Sequence, residues 1–388
     1  MAKIRVLIVD DSAVLRRLLS DLLAEDSQIE VVGLAGDGQT ALTKIQQLKP
    51  DLVTLDMEMP VMDGLDTLRA LRKIYPKLPV IMFSTLTERG SCATLDALAL
   101  GASDYVTKPA NVGSVMASMS KIREDLIPKI KALCLRNPVF ALPVAHPSAP
   151  PSTTATTAAA SALGSKSQPL PRSIFPKKAG QSHAPEILAV GVSTGGPNAL
   201  AEFIPALGRN FPIPIVIVQH MPPLFTRLLA ERIAAVSGIN CREGVPGEIL
   251  RPGDAWVAPG GFHMEVEPCL QGARLRMTEE PPENSCRPAV DVLFRSVSKV
   301  YGTGTLAVVL TGMGQDGLKG AEVIRNAGGS ILAQDEASSV VWGMPGAVAT
   351  AGLAEKVLPL SELASEVLSR VHPHLQIPAG QPASPSLS

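Results

Sequence analysis

Aromatic residues are scarce in this chain, at 3% of 388 residues. Proteins that hold single-stranded nucleic acid stack bases on aromatic rings, so the shortage argues against such a platform. A basic excess is missing as well. Lysine plus arginine number 35 against 36 aspartate plus glutamate, a net charge of −1, whereas a general nucleic-acid binder carries a basic footprint. The cysteines Cys92, Cys134, Cys241, Cys269 and Cys286 are odd in number, scattered, and never in C-x-x-C spacing. That pattern fits buried or free thiols in a reducing compartment better than a disulfide framework or a zinc site. No apolar run is long enough to cross a bilayer, and no signal-peptide pattern is present. The expectation is a cytoplasmic protein without membrane insertion and without a nucleic-acid partner.

Hydrophobic residues are plentiful, at 46%, and the length favours more than one domain. Residues 1–133 alternate short apolar runs with helical patterns: KIRVLIVD, IEVVGLAG, DLVTLDM, PVIMFST and DYVTKP read as strands of a parallel α/β sheet covered on both faces. Residues 134–184, which include HPSAPPSTTATTAAASALGSKSQPLP, lack a sustained apolar period and read as a flexible linker. The βα rhythm returns over 185–375, with EILAVGV, IPIVIVQ, AWVAP and TLAVVLTG as strands and MEVEP with RLRMTE as a hairpin. This second domain reads as a doubly wound, mostly parallel α/β fold. Residues 376–388 read as a disordered tail.

In the first domain, Asp10 and Asp11 follow one strand and Asp56 ends another, while Ser84 and Lys108 sit at two further strand ends. Strand C-termini of a parallel sheet open onto one edge, where ligands bind. Three carboxylates converging there attract a hard divalent cation such as Mg²⁺, and a carboxylate beside Mg²⁺ and an ammonium is equipped to attack a phosphoryl group. The set VDDS, LDMEMPVMDG, Ser84, Tyr105 and Lys108-Pro109 resembles the response-regulator receiver domain, a flavodoxin-like fold with a five-stranded parallel sheet. The resemblance implies Asp56 as phospho-acceptor, Asp10, Asp11 and Asp56 as the Mg²⁺ site, and Ser84, Tyr105 and Lys108 as switch residues. It further implies a histidine kinase as phosphodonor.

In the second domain, EILAVGVSTGGPNAL poses a choice. Ser193 in G-x-S-x-G fits a nucleophile on a strand-to-helix turn, and the same glycines suit a phosphate cradle. The loop alone leaves both open, although neither G-x-G-x-x-G nor the P-loop lysine is present. Two further strand ends bear on the choice. VQHMPP places His220, and LTGMGQDG places Asp316, on the same sheet edge as Ser193. Ser, His and Asp converging is the arrangement that acyl transfer requires. His263, in APGGFHME, is a rival base, read as structural or substrate-contacting because a PGG turn before it starts the hairpin. Backbone N–H groups near Met313 suit an oxyanion hole.

GVSTGGPNAL, VQHMPP, VAPGGFHM, RPAVDVLFRSV, LTGMGQDG and AQDEASSVVWGMPGA resemble the catalytic domain of chemotaxis protein-glutamate methylesterases, the CheB family. The resemblance implies Ser193 as nucleophile, His220 as base, Asp316 as its orienter, and Thr194 and Met313 as active-site lining. It implies hydrolysis of glutamate γ-methyl esters on methyl-accepting chemoreceptors, deamidation of receptor glutamines, and no cofactor for the esterase step. A paralogue serving a non-motility pathway carries the same residues and stands as the alternative. A transcription-type output needs a basic helix-turn-helix, which residues 185–388 do not show.

Overall fold

The computed structural model of the chain describes residues 3–108, 115–134 and 184–372. The expected linker falls outside these residues except at its ends, and the expected tail lies wholly outside them.

The first region alternates β1 (Ile4–Val9), α1 (Ala13–Ala24), β2 (Ile29–Ala35), α2 (Gly38–Leu48), β3 (Leu52–Asp56), α3 (Gly64–Ile74), β4 (Val80–Ser84), α4 (Glu88–Ala99), β5 (Asp104–Thr107) and α5 (Val115–Cys134). The five strands run in the order β2-β1-β3-β4-β5, and every neighbouring pair is parallel. Helices on both faces bury β3 and β4 at every residue, which is why they read as apolar runs without alternation. Ser12, Asp37, Asp63 and Thr87 each cap a helix by accepting a backbone N–H three residues on.

The second region comprises β6 (Ile187–Val192), α6 (Gly196–Ala206), β7 (Ile215–Gln219), α7 (Phe225–Ser237), β8 (Asn240–Glu243), β9 (Asp254–Val257), β10 (His263–Cys269), β11 (Gly272–Thr278), α8 (Val290–Tyr301), β12 (Thr305–Val309), α9 (Leu318–Asn326), β13 (Ser330–Gln334), α10 (Met344–Thr350), β14 (Lys356–Leu358) and α11 (Leu360–Val371). Seven strands form one sheet in the order β14-β13-β12-β6-β7-β9-β8, all parallel. β10 and β11 pair antiparallel as a separate hairpin, with His263 as its first residue. From β6 the chain builds outward through β7 to β9 and later returns to β12 on the other side of β6. The reversal opens a crevice at the carboxyl ends of β6 and β12, the place where such sheets bind ligands.

The two regions touch. One apolar cluster takes in Leu95, Leu98 and Tyr105 of the first and Leu200, Phe225 and Leu229 of the second. The Tyr105 and Phe225 rings stack with centroids 4.8 Å apart, and Asn198 Nδ2 donates to the Leu98 carbonyl at 2.7 Å. Arg227 pairs with Glu88 and Arg232 with Asp96, each at 2.8 Å. These ion pairs are solvent-exposed and contribute little beside the apolar contact.

Candidate functional site

β1 and β3 are neighbours, so their carboxyl ends bring Asp10, Asp11 and Asp56 together, each offering an oxygen within 4.8 Å of the others. Lys108, one residue past β5, places Nζ 2.7 Å from Asp56 Oδ1 and 3.1 Å from Asp10 Oδ2. Burial pushes the Asp56 carboxyl up to about 6 against the pull of Lys108. Burial opposes the charge of Lys108 as well, but Asp56 and Asp10 hold its ammonium above the ordinary range. Asp56 Oδ2 is buried without a hydrogen-bond partner among the described residues. A buried carboxylate oxygen of that kind calls for a counter-charge, and a divalent cation held by the three carboxylates fits it.

Of the three expected switch residues, Lys108 reaches into this cluster, whereas the Ser84 and Tyr105 side chains point away from it. Ser84 is buried, with Oγ 3.2 Å from the Thr85 and Gly90 carbonyl oxygens, and accepts from Thr94 Oγ1 at 2.5 Å. Tyr105 is buried against Phe225, with Lys129 Nζ 5.3 Å from its ring centre. Pro109 lies outside the described residues.

On the second sheet, Ser193 follows β6 directly and His220 follows β7 directly. The turn after Ser193 needs glycine: Gly195 has φ +78°, and a Cβ there would meet Val340 at 2.6 Å. Gly312 lets the chain leaving β12 pass the serine, since its Cβ would come within 2.8 Å of Ser193 Cβ. Asp316 lies in the loop from β12 to α9, and His220 Nε2 is 2.7 Å from its Oδ2. Oδ2 also accepts the Val290 N–H at 2.6 Å, and Oδ1 accepts those of Asp291 and Gly317 at 3.0 Å each. Burial works against the Asp316 charge, but His220 and the backbone donors hold its carboxyl below the usual range.

The imidazole is largely but not fully enclosed, its side chain 12% exposed. Enclosure disfavours its charge, yet the Asp316 and Cys286 contacts prevail and push it up to about 10. With Nε2 on Asp316, Nδ1 is the nitrogen left for chemistry, and it faces Cys286 Sγ at 3.6 Å. Among the described residues the Ser193 hydroxyl makes no hydrogen bond, so the serine–histidine contact is not closed in this state. Catalytic hydrogen bonds commonly tighten only with substrate.

His263, the rival base, is 1% exposed. Its Nδ1 accepts the Ala289 N–H at 3.2 Å and its Nε2 lies 3.1 Å from the Pro281 carbonyl. Both ring nitrogens hold backbone, which leaves none for substrate. Met313 is partly exposed in the loop after β12. Thr194 is buried, and its Oγ1 donates to Asp104 Oδ2 at 2.8 Å, tying the residue beside Ser193 to the first sheet. Sequence reasoning missed Asp104, Cys286 and Asn284, whose Nδ2 donates to Asp316 Oδ1 at 2.9 Å. The ENSC stretch carried one signal, an asparagine suited to a tight turn.

Comparison with known proteins finds similarity over the same two regions. The response regulator receiver domain family matches residues 6–120, and the CheB methylesterase family matches residues 188–367. A protein-glutamate methylesterase/protein-glutamine glutaminase of Nocardioides sp. is 53% identical over 391 residues, covering 98% of this chain and 99% of that protein. One of Trichodesmium erythraeum is 50% identical over 371 residues, covering 96% and 100%. The crystal structure of the Thermotoga maritima CheB methylesterase catalytic domain is 40% identical, with a TM-score of 0.47, and covers 48% of this chain and 99% of that one.

Proposed function

Since the chain belongs to the protein-glutamate methylesterase/protein-glutamine glutaminase family, we propose that Ser193, His220 and Asp316 carry out its hydrolysis, on glutamate γ-methyl esters of methyl-accepting chemoreceptors. The observation that carries this reading is the 2.7 Å His220–Asp316 contact at the sheet edge where Ser193 follows β6. Ser193 Oγ attacks the ester carbonyl and His220 takes its proton on Nδ1, because Nε2 is committed to Asp316. Asp316 fixes that tautomer and stabilises the imidazolium. Backbone N–H groups beside Thr194 and Met313 steady the oxyanion. The imidazolium then protonates the leaving methoxide, methanol departs, and water hydrolyses the glutamyl ester on Ser193. With a glutamine the leaving group is ammonia and the sequence is the same. No helix among the described residues is long and apolar enough to cross a membrane. The cytoplasmic ends of receptors are the matching place of action.

Asp56 is the proposed phospho-acceptor, with a histidine kinase as phosphodonor. Mg²⁺ would sit on Asp10, Asp11 and Asp56 and would offset the charge of the incoming phosphoryl group. Lys108 supplies the second positive charge, being already 2.7 Å from Asp56. Phosphorylation would turn Ser84 from α4 toward Asp56 and free Tyr105 from Phe225. That weakens the face on which Asp104 holds Thr194 beside the nucleophile.

Steady-state methanol release from methylated receptor, with and without a small phosphodonor and Mg²⁺, tests the function. The phosphodonor is expected to raise the rate, by up to about 100-fold if the held state is about 99% populated. Asp56→Asn should take no phosphoryl group and show no rise. Absence of methanol under all these conditions overturns the substrate assignment.

A pH profile follows from the raised His220 pKa of about 10. The base works only when neutral, and a raised pKa keeps the ring protonated at neutral pH, so the rate should climb as pH rises toward that value. Cys286→Ala removes one of the contacts that raise the pKa, and the acidic limb of kcat should move to lower pH. A limb that stays in place in Cys286→Ala shows that the thiol does not bear on the base.

A further inference from the structure

The stretch before α8 contains a tight turn that no sequence motif singled out. Glu283 and Cys286 exchange backbone hydrogen bonds of 3.1 and 2.9 Å, and the two residues between them, Asn284 and Ser285, have φ +53° and +63°. Positive φ at both central positions is a two-residue hairpin turn, which asparagine tolerates better than most residues. Glu283 anchors the turn to α8 through both carboxylate oxygens on Arg295, at 2.8 and 2.5 Å. At the other end Cys286 Sγ faces His220 Nδ1. Between these ends, Asn284 Nδ2 donates to Asp316 Oδ1 at 2.9 Å and to Asp291 Oδ2 at 3.0 Å.

Those two carboxylates are 2% and 1% exposed, and each caps the other's helix. Asp316, just before α9, accepts the first N–H groups of α8. Asp291, in the first turn of α8, accepts the Gly320 N–H of α9 at 2.6 Å. Neither helix has a side-chain cap of its own. The exchange secures both helix ends but sets two buried negative charges near one another, and burial raises the pKa of Asp291. A primary amide has two N–H donors on one nitrogen, one for each carboxylate.

We propose that Asn284 is a positioning residue for the Asp316–His220 pair: its amide, set by the Glu283–Cys286 turn, bridges Asp316 to Asp291 and fixes the carboxylate that orients the base. The inference rests on the Ser193, His220 and Asp316 reading. The groups that bear on Asp316 electrostatically are His220, Asp291, Glu283 and Arg295, and His220 is faced by Asp316 and Cys286.

Two variants of the full chain test it, both compatible with positive φ. Asn284→Gly deletes the amide and leaves the turn relaxed. Asn284→Asp keeps the shape and replaces a donor by a third acceptor. Methanol release is measured across pH with phosphodonor present, and thermal midpoints are recorded alongside. Asn284→Gly is expected to lower kcat by about 10-fold, a fraction of the roughly 100-fold that follows a 1 Å misplacement, with KM within about twofold and the midpoint little changed. Asn284→Asp is expected to lose more and to move the acidic limb to higher pH, because added negative charge favours the imidazolium. Wild-type kcat in folded Asn284→Gly overturns the proposal. So does a loss in both variants that tracks the folded fraction while the pH profile stays put. If Asn284→Gly does not fold, the limb of Asn284→Asp decides alone. Ser193→Ala, run in the same assay, separates the two levels: full activity there sinks the underlying reading, whereas an inactive Ser193→Ala beside a wild-type Asn284→Gly sinks this inference only.

Discussion

Ser193→Ala is expected to leave the fold intact and to lower methanol release by about 10⁶-fold, the loss found when a nucleophile is removed from a triad that acts as a unit. The backbone around Ser193 accounts for the expected intact fold. Its N–H donates to the Thr311 carbonyl at 3.0 Å and its carbonyl accepts the Gly196 N–H at 2.7 Å, so the turn is held without the hydroxyl. Steady-state turnover of folded Ser193→Ala near the wild-type rate would falsify the assignment and return the loop to the phosphate-cradle reading.

The second large effect is a ranking. His220→Ala should approach the loss of Ser193→Ala, because among the described residues no other ring nitrogen is placed to take the serine proton. Asp316→Asn should cost less, about 10⁴-fold, since the carboxylate orients and stabilises without transferring the proton. His263→Ala should retain the chemistry and lose stability instead, as it removes a buried ring that holds two backbone groups. Rates of the three variants at saturating substrate, beside their thermal midpoints, check the order. Activity lost in folded His263→Ala and spared in His220→Ala would mean that the base is the other histidine.

Much of this candidate site is legible in the sequence. Ser193, His220, Asp10 and Asp56 each sit at or one residue past an apolar run, and a parallel sheet aligns the ends of such runs on one edge. Asp316 was within reach because LAVVLTG announces β12 and the glycines after it announce a loop. Five elements of the second region went unnamed: β13 and α11, whose apolar patterns were there to read, and three whose residues carry no period. β8 is NCRE on a sheet edge, β14 has three residues, and α10 is a seven-residue helix opening with Met-Pro-Gly. They exist because the sheet beside them offers partners, a tertiary cause invisible to local pattern. The same applies to Asn284, whose amide matters only because α8 and α9 bring two distant aspartates together. The orientation of Ser84 toward α4 and of Tyr105 toward Phe225 is likewise a matter of state, and a sequence does not encode which state is occupied.

The 2.8 Å hydrogen bond from Thr194 to Asp104 has a consequence that runs opposite to the direction of signalling. If the receiver and the receptor's methyl ester compete for the neighbourhood of Ser193, each disfavours the other's engagement by the same free energy. Phosphorylation of Asp56 and occupancy of the esterase crevice then favour the same undocked state. Thermodynamic reciprocity makes the coupling identical read from either end: as much as the phosphoryl group tightens the grip on substrate, bound substrate must shift the phosphorylation equilibrium of Asp56 toward the phosphorylated form. The methylated receptor is then an effector of the receiver as well as the ester consumed by the output domain.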